Sequence, residues 1–173
     1  MSSYTLDPTK LEDTKRYLDE HSDILLAYLF GSFGRGDASS LSDIDIGLLL
    51  LDTIPSADRF ERRLTIGLDL QRILRRNDVD IVILNDAPLA LAYRVLRDGQ
   101  LLCCRNEDVR IQYAAATVGR YLDFKPFIER HHQAILERAR QGELFNGPNP
   151  YRRALEHYRQ GRARFGNRAG SSA

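Results

Sequence analysis

Residues 29–51, LFGSFGRGDASSLSDIDIGLLLL, join the end of one apolar run to a glycine-rich turn and then to a second apolar run that opens with alternating Asp and Ile. The preceding residues 24–30 (ILLAYLF) are a short, partly aromatic apolar stretch stopped by Gly31, the pattern of a buried strand. Residues 43–51 (DIDIGLLLL) read as a second strand whose first half alternates strictly. Two such strands around one turn commit the chain to a sheet.

The remaining segments decide what surrounds that sheet. Asp7 before Pro8 predicts a helix over 7–20, and the spaced apolar residues of 57–76 predict an amphipathic helix despite Gly67. Residues 79–84 (VDIVIL) read as a third strand, 87–97 as a helix and 101–104 (LLCC) as a short fourth strand. Residues 107–140 read as a long helical stretch with a break near Lys125-Pro126. The predicted class is α/β (α+β), a small mixed sheet flanked by helices with a helical C-terminal part. Residues 1–105 form the expected core, 106–141 helices packed on it, and 142–173 a Gly/Pro linker with a basic tail, where 141–173 hold six Arg against two Glu.

A chain of 173 residues, 43% hydrophobic and 28% charged, is expected to fold around one core and is neither collagen-like nor wholly disordered. Its longest apolar run, 46–51, is far shorter than the roughly 18 residues that span a bilayer, and the polar N-terminus lacks a signal-peptide core. The expected compartment is the cytoplasm, and no membrane partner is expected. The adjacent Cys103 and Cys104 match neither a CxxC pair nor a zinc site and read as reduced thiols. Adjacent His131 and His132 point about 100° apart on a helix and read as surface residues. The pattern Tyr121, Leu122, Phe124, Phe127, Ile128, Ile135 and Leu136 reads as a core-facing stripe in preference to a docking face.

The chemistry concentrates in the opening segment. Gly31 allows a sharp turn, and Ser32 offers a hydroxyl and backbone N–H groups to an anion. The spacing Gly31-x-x-Gly34-x-Gly36 is neither the dinucleotide-binding nor the P-loop pattern. Asp43 and Asp45, two apart on a strand, point to one face with Cα atoms roughly 6.6 Å apart, where two carboxylates repel unless a cation joins them. Asp80 adds a third carboxylate inside an apolar strand, where an unpaired buried charge costs several kcal/mol. Asp78 competes with it but reads as a turn residue. Taken singly, the acids could be a solvated strand start or a core acid paired with Arg. Three acids from two neighbouring strands describe a two-metal phosphoryl or nucleotidyl transfer site.

Gly31-Ser32, ten residues, then Asp43-Ile44-Asp45 resembles the GS-x10-DxD signature of the minimal nucleotidyltransferase domain, of the DNA polymerase β-like superfamily. With VDIVIL, with YRVLRDGQLLCC at 93–104 and with RYLDFKPFIER at 120–130, the resemblance covers roughly residues 8–140. It extends to MntA-type antitoxins, which adenylylate a HEPN-domain ribonuclease toxin on a tyrosine. It implies that Asp43 and Asp45 bind Mg²⁺, with Asp80 as the third acid of that metal site and the general base. It further implies that ATP is the co-substrate, with Gly31, Ser32, Arg35 and Ser42 around the nucleotide. The implied partner is a HEPN toxin in a hetero-oligomer, with nucleic acid touched only through the basic tail. Adenylyl transfer to a small molecule of the aminoglycoside type, and a steric antitoxin with a vestigial site, are the alternatives. In the tail, Arg152 with His157-Tyr158 superficially resembles the HEPN ribonuclease motif and reads instead as part of a solvated basic helix.

Overall fold

The computed structural model describes residues 5–141. Helix α1, Pro8–Glu20, starts where the Asp7 carboxylate accepts the Thr9 N–H at 2.9 Å and Pro8 presets its own φ. Strand β1, Ile24–Phe30, runs straight into the short helix α2, Gly31–Arg35, and β2 follows as Ile44–Leu50. Helix α3, Ser56–Leu74, carries the chain over to β3, Val79–Ile83; α4, Leu89–Asp98, leads to β4, Gln100–Cys104, and α5 spans Glu107–Arg140. The sheet order is β3-β2-β1-β4, with β1 antiparallel to β2 and β4, and β2 parallel to β3. The parallel pair is the one that needs a helical crossover, and α3 supplies it.

The two sheet faces bury different sets. On the first, Ile44, Ile46, Leu48 and Leu50 of β2 join Ala27, Leu29, Ile81 and Ile83 against Leu18 of α1 and Ile66, Leu70 and Leu74 of α3. On the second, Leu26, Tyr28 and Leu49 pack with Leu84 and with Val95 of α4. Gly47 is needed there because a Cβ would stand 3.1 Å from Val95 Cγ1, so α4 lies almost on the backbone. At the far end of β2 the Asn85 side chain bonds both backbone groups of Leu50, at 2.9 and 3.0 Å, and so continues the ladder beyond β3.

Two expectations are corrected. Helix α5 passes through Pro126 without the predicted break. Proline removes one intrahelical N–H donor, and at this exposed position water can take the carbonyl that donor would have met. Of the described residues, 107–123 and 124–141 belong to separate units. In the first, Val109 and Tyr113 pack against the second core cluster, and Tyr121 stacks on Tyr93 at 3.9 Å. In the second, Phe124, Phe127, Ile135 and Leu136 are exposed, not core. Helical spacing identifies an apolar face but not whether anything covers it.

Cys103 is buried, Cys104 half-buried, and neither is in a disulfide. His131 and His132 are both exposed. Among the described residues no helix is long and apolar enough to cross a membrane. The linker and basic tail at 142–173, with Arg152, His157 and Tyr158, lie outside the described residues.

Candidate active site

The turn after β1 is shaped by one contact. Gly31 has φ +67°, and a Cβ there would lie 2.0 Å from Oδ2 of Asp45, so both backbone and space demand glycine. Ser32 follows in α2, half exposed. Among the described residues its hydroxyl has no hydrogen-bond partner. Gln100 of β4 donates to the Gly34 carbonyl at 3.2 Å and holds the turn from the other side.

The strand register brings the acids together. Asp45 opposes Phe30 of β1 and is in step with Asp80 of β3. Asp43 lies just before β2. Laterally paired residues, and residues two apart along a strand, share a face, so the three carboxylates occupy the face that also carries Gly47 and Leu49. Asp45 is half-buried and its carboxyl is held above the ordinary aspartate value, first by burial and then by the charges of Asp80 and Asp43, against a smaller pull from Arg35. The cluster is thus a concentration of negative charge that favours a cation.

Asp80 requires a correction. It is exposed, because β3 is the edge of the sheet, and the expected burial penalty does not apply to it. Arg35 is exposed too and forks onto Asp37, with both bonds at 3.2 Å. The Ser42 hydroxyl accepts the Ser39 N–H at 2.9 Å and closes the turn that precedes Asp43.

The residue that ties these segments together was not singled out from the sequence. Arg76 donates to the Ser42 carbonyl at 2.8 Å, to Asp78 Oδ1 at 2.8 Å and again to Asp78 Oδ2, and its guanidinium lies 5.7 Å from the centre of the Phe33 ring. One cation therefore holds α2, the loop before Asp43 and the start of β3. It also lowers the Asp78 pKa, which commits that carboxylate to a structural pair. The only local signal was an Arg two residues before an Asp.

Among the described residues no three His, Cys, Asp or Glu side chains are gathered closely enough to enclose a metal ion alone. The donors beside Gly31 are all carboxylate oxygens on an open surface. That set fits Mg²⁺, which keeps several waters and completes its shell with substrate phosphate oxygens. A separate cavity of about 550 Å³, lined by Arg59, Asn85, Tyr113 and Arg120 among others, lies toward the Leu49–Leu50 end and includes none of Asp43, Asp45 and Asp80.

This arrangement of strand, Gly-Ser turn and clustered aspartates can be set against known proteins. The family model for Polymerase beta, Nucleotidyltransferase, matches residues 12–108. The chain belongs to this nucleotidyltransferase family. A curated relative, the protein adenylyltransferase MntA of Shewanella oneidensis, is 32% identical over 114 residues, which cover 65% of this chain and 73% of that protein. Among solved structures, a toxin–antitoxin crystal structure with AMP-PNP superimposes with a TM-score of 0.56 at 28% identity, over 75% of this chain and 95% of the other. A complex of the tri-AMPylated Shewanella oneidensis HEPN toxin with MNT antitoxin gives 0.52 at 25% identity, over 75% and 98%. The nucleotidyltransferase fold and enzyme class expected from the sequence both hold.

Proposed function

We propose that this nucleotidyltransferase is the antitoxin of a HEPN toxin pair, acting in the cytoplasm by moving AMP from ATP to a tyrosine hydroxyl of its ribonuclease partner in a Mg²⁺-dependent reaction. The observation that carries the reading is the open carboxylate face of Asp43, Asp45 and Asp80 beside the Gly31-Ser32 turn. The adenylyltransferase relative and the toxin–antitoxin structures with AMP-PNP and with an AMPylated toxin support the acceptor class. Asp43 and Asp45 would hold Mg²⁺, which supplies charge neutralisation at the phosphates when bound.

The chain's own groups account for the rest. Ser32 and the backbone of the turn hold the phosphates, and Arg35 can leave exposed Asp37 for the triphosphate. Ser42 keeps the loop before Asp43 in place. Asp80, exposed and in step with Asp45, accepts the proton of the tyrosine hydroxyl as its oxygen bonds to the α-phosphorus. The bond from that phosphorus to the bridging oxygen breaks, pyrophosphate leaves, and Asp80 returns the proton to water. An added AMP puts negative charge and bulk where RNA phosphates must dock.

Incubating the chain with its HEPN partner, ATP and Mg²⁺ should raise the partner's intact mass by one or more AMP units on a tyrosine, and ribonuclease activity should fall in step. An unchanged mass, with inhibition that survives loss of Asp43 and Asp45, would replace this reading with steric neutralisation. Modification of an aminoglycoside but not of the protein would point to the small-molecule class.

A further inference from the structure

Helix α3 exposes Phe60, Leu64 and Leu68, which are 59%, 48% and 55% accessible. Spaced four residues apart, they share one side of the helix, and three large apolar side chains in a row form a patch that ordinary surfaces avoid. Beside them runs β3, which pairs with β2 alone, so among the described residues its outer backbone groups meet no strand. Two open grooves of about 340 and 120 Å³ follow this border, and Asp80 lines both. The border is therefore continuous with the carboxylate cluster.

Charge narrows what can cover it. Arg59 holds Asp86 and Arg62 holds Asp23. Arg63, next after Arg62 in the chain and 5.9 Å from the centre of the Phe60 ring, makes no ion pair among the described residues. A cation beside an apolar row is matched by an apolar ridge with a carboxylate next to it. A second copy of this chain is a poor occupant. Edge-to-edge pairing of two five-residue β3 strands would set two Asp80 carboxylates close together on one face, and like charges so placed repel.

We propose that the α3–β3 border, through Phe60, Leu64, Leu68 and Arg63, is where the protein acceptor docks so that its hydroxyl reaches Asp80; this rests on the protein-acceptor reading above. The occupant is an apolar ridge of that acceptor flanked by an acidic side chain. The border sets which protein is modified, while the carboxylates set what is done to it.

The test uses the full chain with Leu68→Asp and, separately, Arg63→Glu, given its HEPN partner, ATP and Mg²⁺. Initial rates against acceptor concentration should show KM for the acceptor raised at least about tenfold, with ATP affinity by calorimetry unchanged. Should Leu68→Asp fail to melt cooperatively, Phe60→Ser takes its place. Unchanged acceptor KM in the folded variants overturns the proposal. So does a wild-type dimer in size exclusion that Leu68→Asp splits, since a second copy would then own the face. Calorimetric binding of the partner without ATP separates the two readings. Binding that is lost in Leu68→Asp upholds the docking surface even where wild type transfers nothing, an outcome that overturns the enzymatic reading alone.

Discussion

The two faces of β2 are made by one seven-residue strand and have opposite characters. On one, Ile44, Ile46, Leu48 and Leu50 are all fully or almost fully buried beneath α1 and α3. On the other, Asp45 is strained by burial and like charge, Gly47 has no side chain, and Leu49 alone packs normally. The difference teaches that the first face supplies cohesion to hold a second one in an arrangement unfavourable in isolation. Substitutions on the first should cost stability, and those on the second should cost activity.

The sharpest test of that division is Asp43→Asn with Asp45→Asn. Transfer of AMP, followed by intact mass of the acceptor, should fall to background, while the melting temperature at neutral pH should not drop, because the change removes repulsion rather than packing. Loss of cooperative melting would show the acids to be structural and erase the distinction. On the opposite face, Leu48→Ala should destabilise the fold by about 2–5 kcal/mol in denaturant titrations, through lost burial and a cavity beneath α3. A value near zero would mean that this face does not carry the core.

Gly31→Ala probes the place where the acids meet the turn. The positive φ alone costs roughly 1–2 kcal/mol for a residue with a Cβ, and the methyl group would displace the Asp45 carboxylate. Both unfolding free energy and transfer rate should fall, the rate more than stability explains. The smallest effect concerns pH. The Asp45 pKa is raised in the folded state, so its contribution to stability is present below the ordinary aspartate value and is lost as pH rises through the raised one. The melting temperature of Asp45→Asn minus that of wild type, without divalent metal, should therefore be small in acid and grow as pH rises. A flat difference would mean that Asp45 feels neither burial nor its neighbours.

Much of the architecture could be read locally. Asp7 and Pro8 mark a helix start because the cap is a contact two residues long. The apolar runs mark strands because both faces of β1 and β2 are covered. The aspartates announce their shared face because that follows from the pleat. What escaped depends on order in space. Asp80 looked buried because VDIVIL is apolar, but only the sheet order reveals that its strand is an edge. Arg76 joins segments 34 residues apart, which no local pattern records. The exposed α5 residues from Phe124 onward carry a core-like pattern with exposed side chains.

The parallel pairing of β2 with β3 bears on which changes of chain length the protein can tolerate. The Ile44 N–H meets the Asp78 carbonyl at one end of the ladder, and the Leu84 N–H meets the Leu48 carbonyl at the other, both at 2.8 Å. Between these two pins Asp80 has a single position level with Asp45. Gaining or losing one residue in the turn at 75–78 would turn Asp80 to the helix-covered side of the sheet and bring an apolar neighbour in its place. A point substitution in that turn leaves the register standing, whereas a one-codon insertion or deletion would silence the third acid even where the strands still pair.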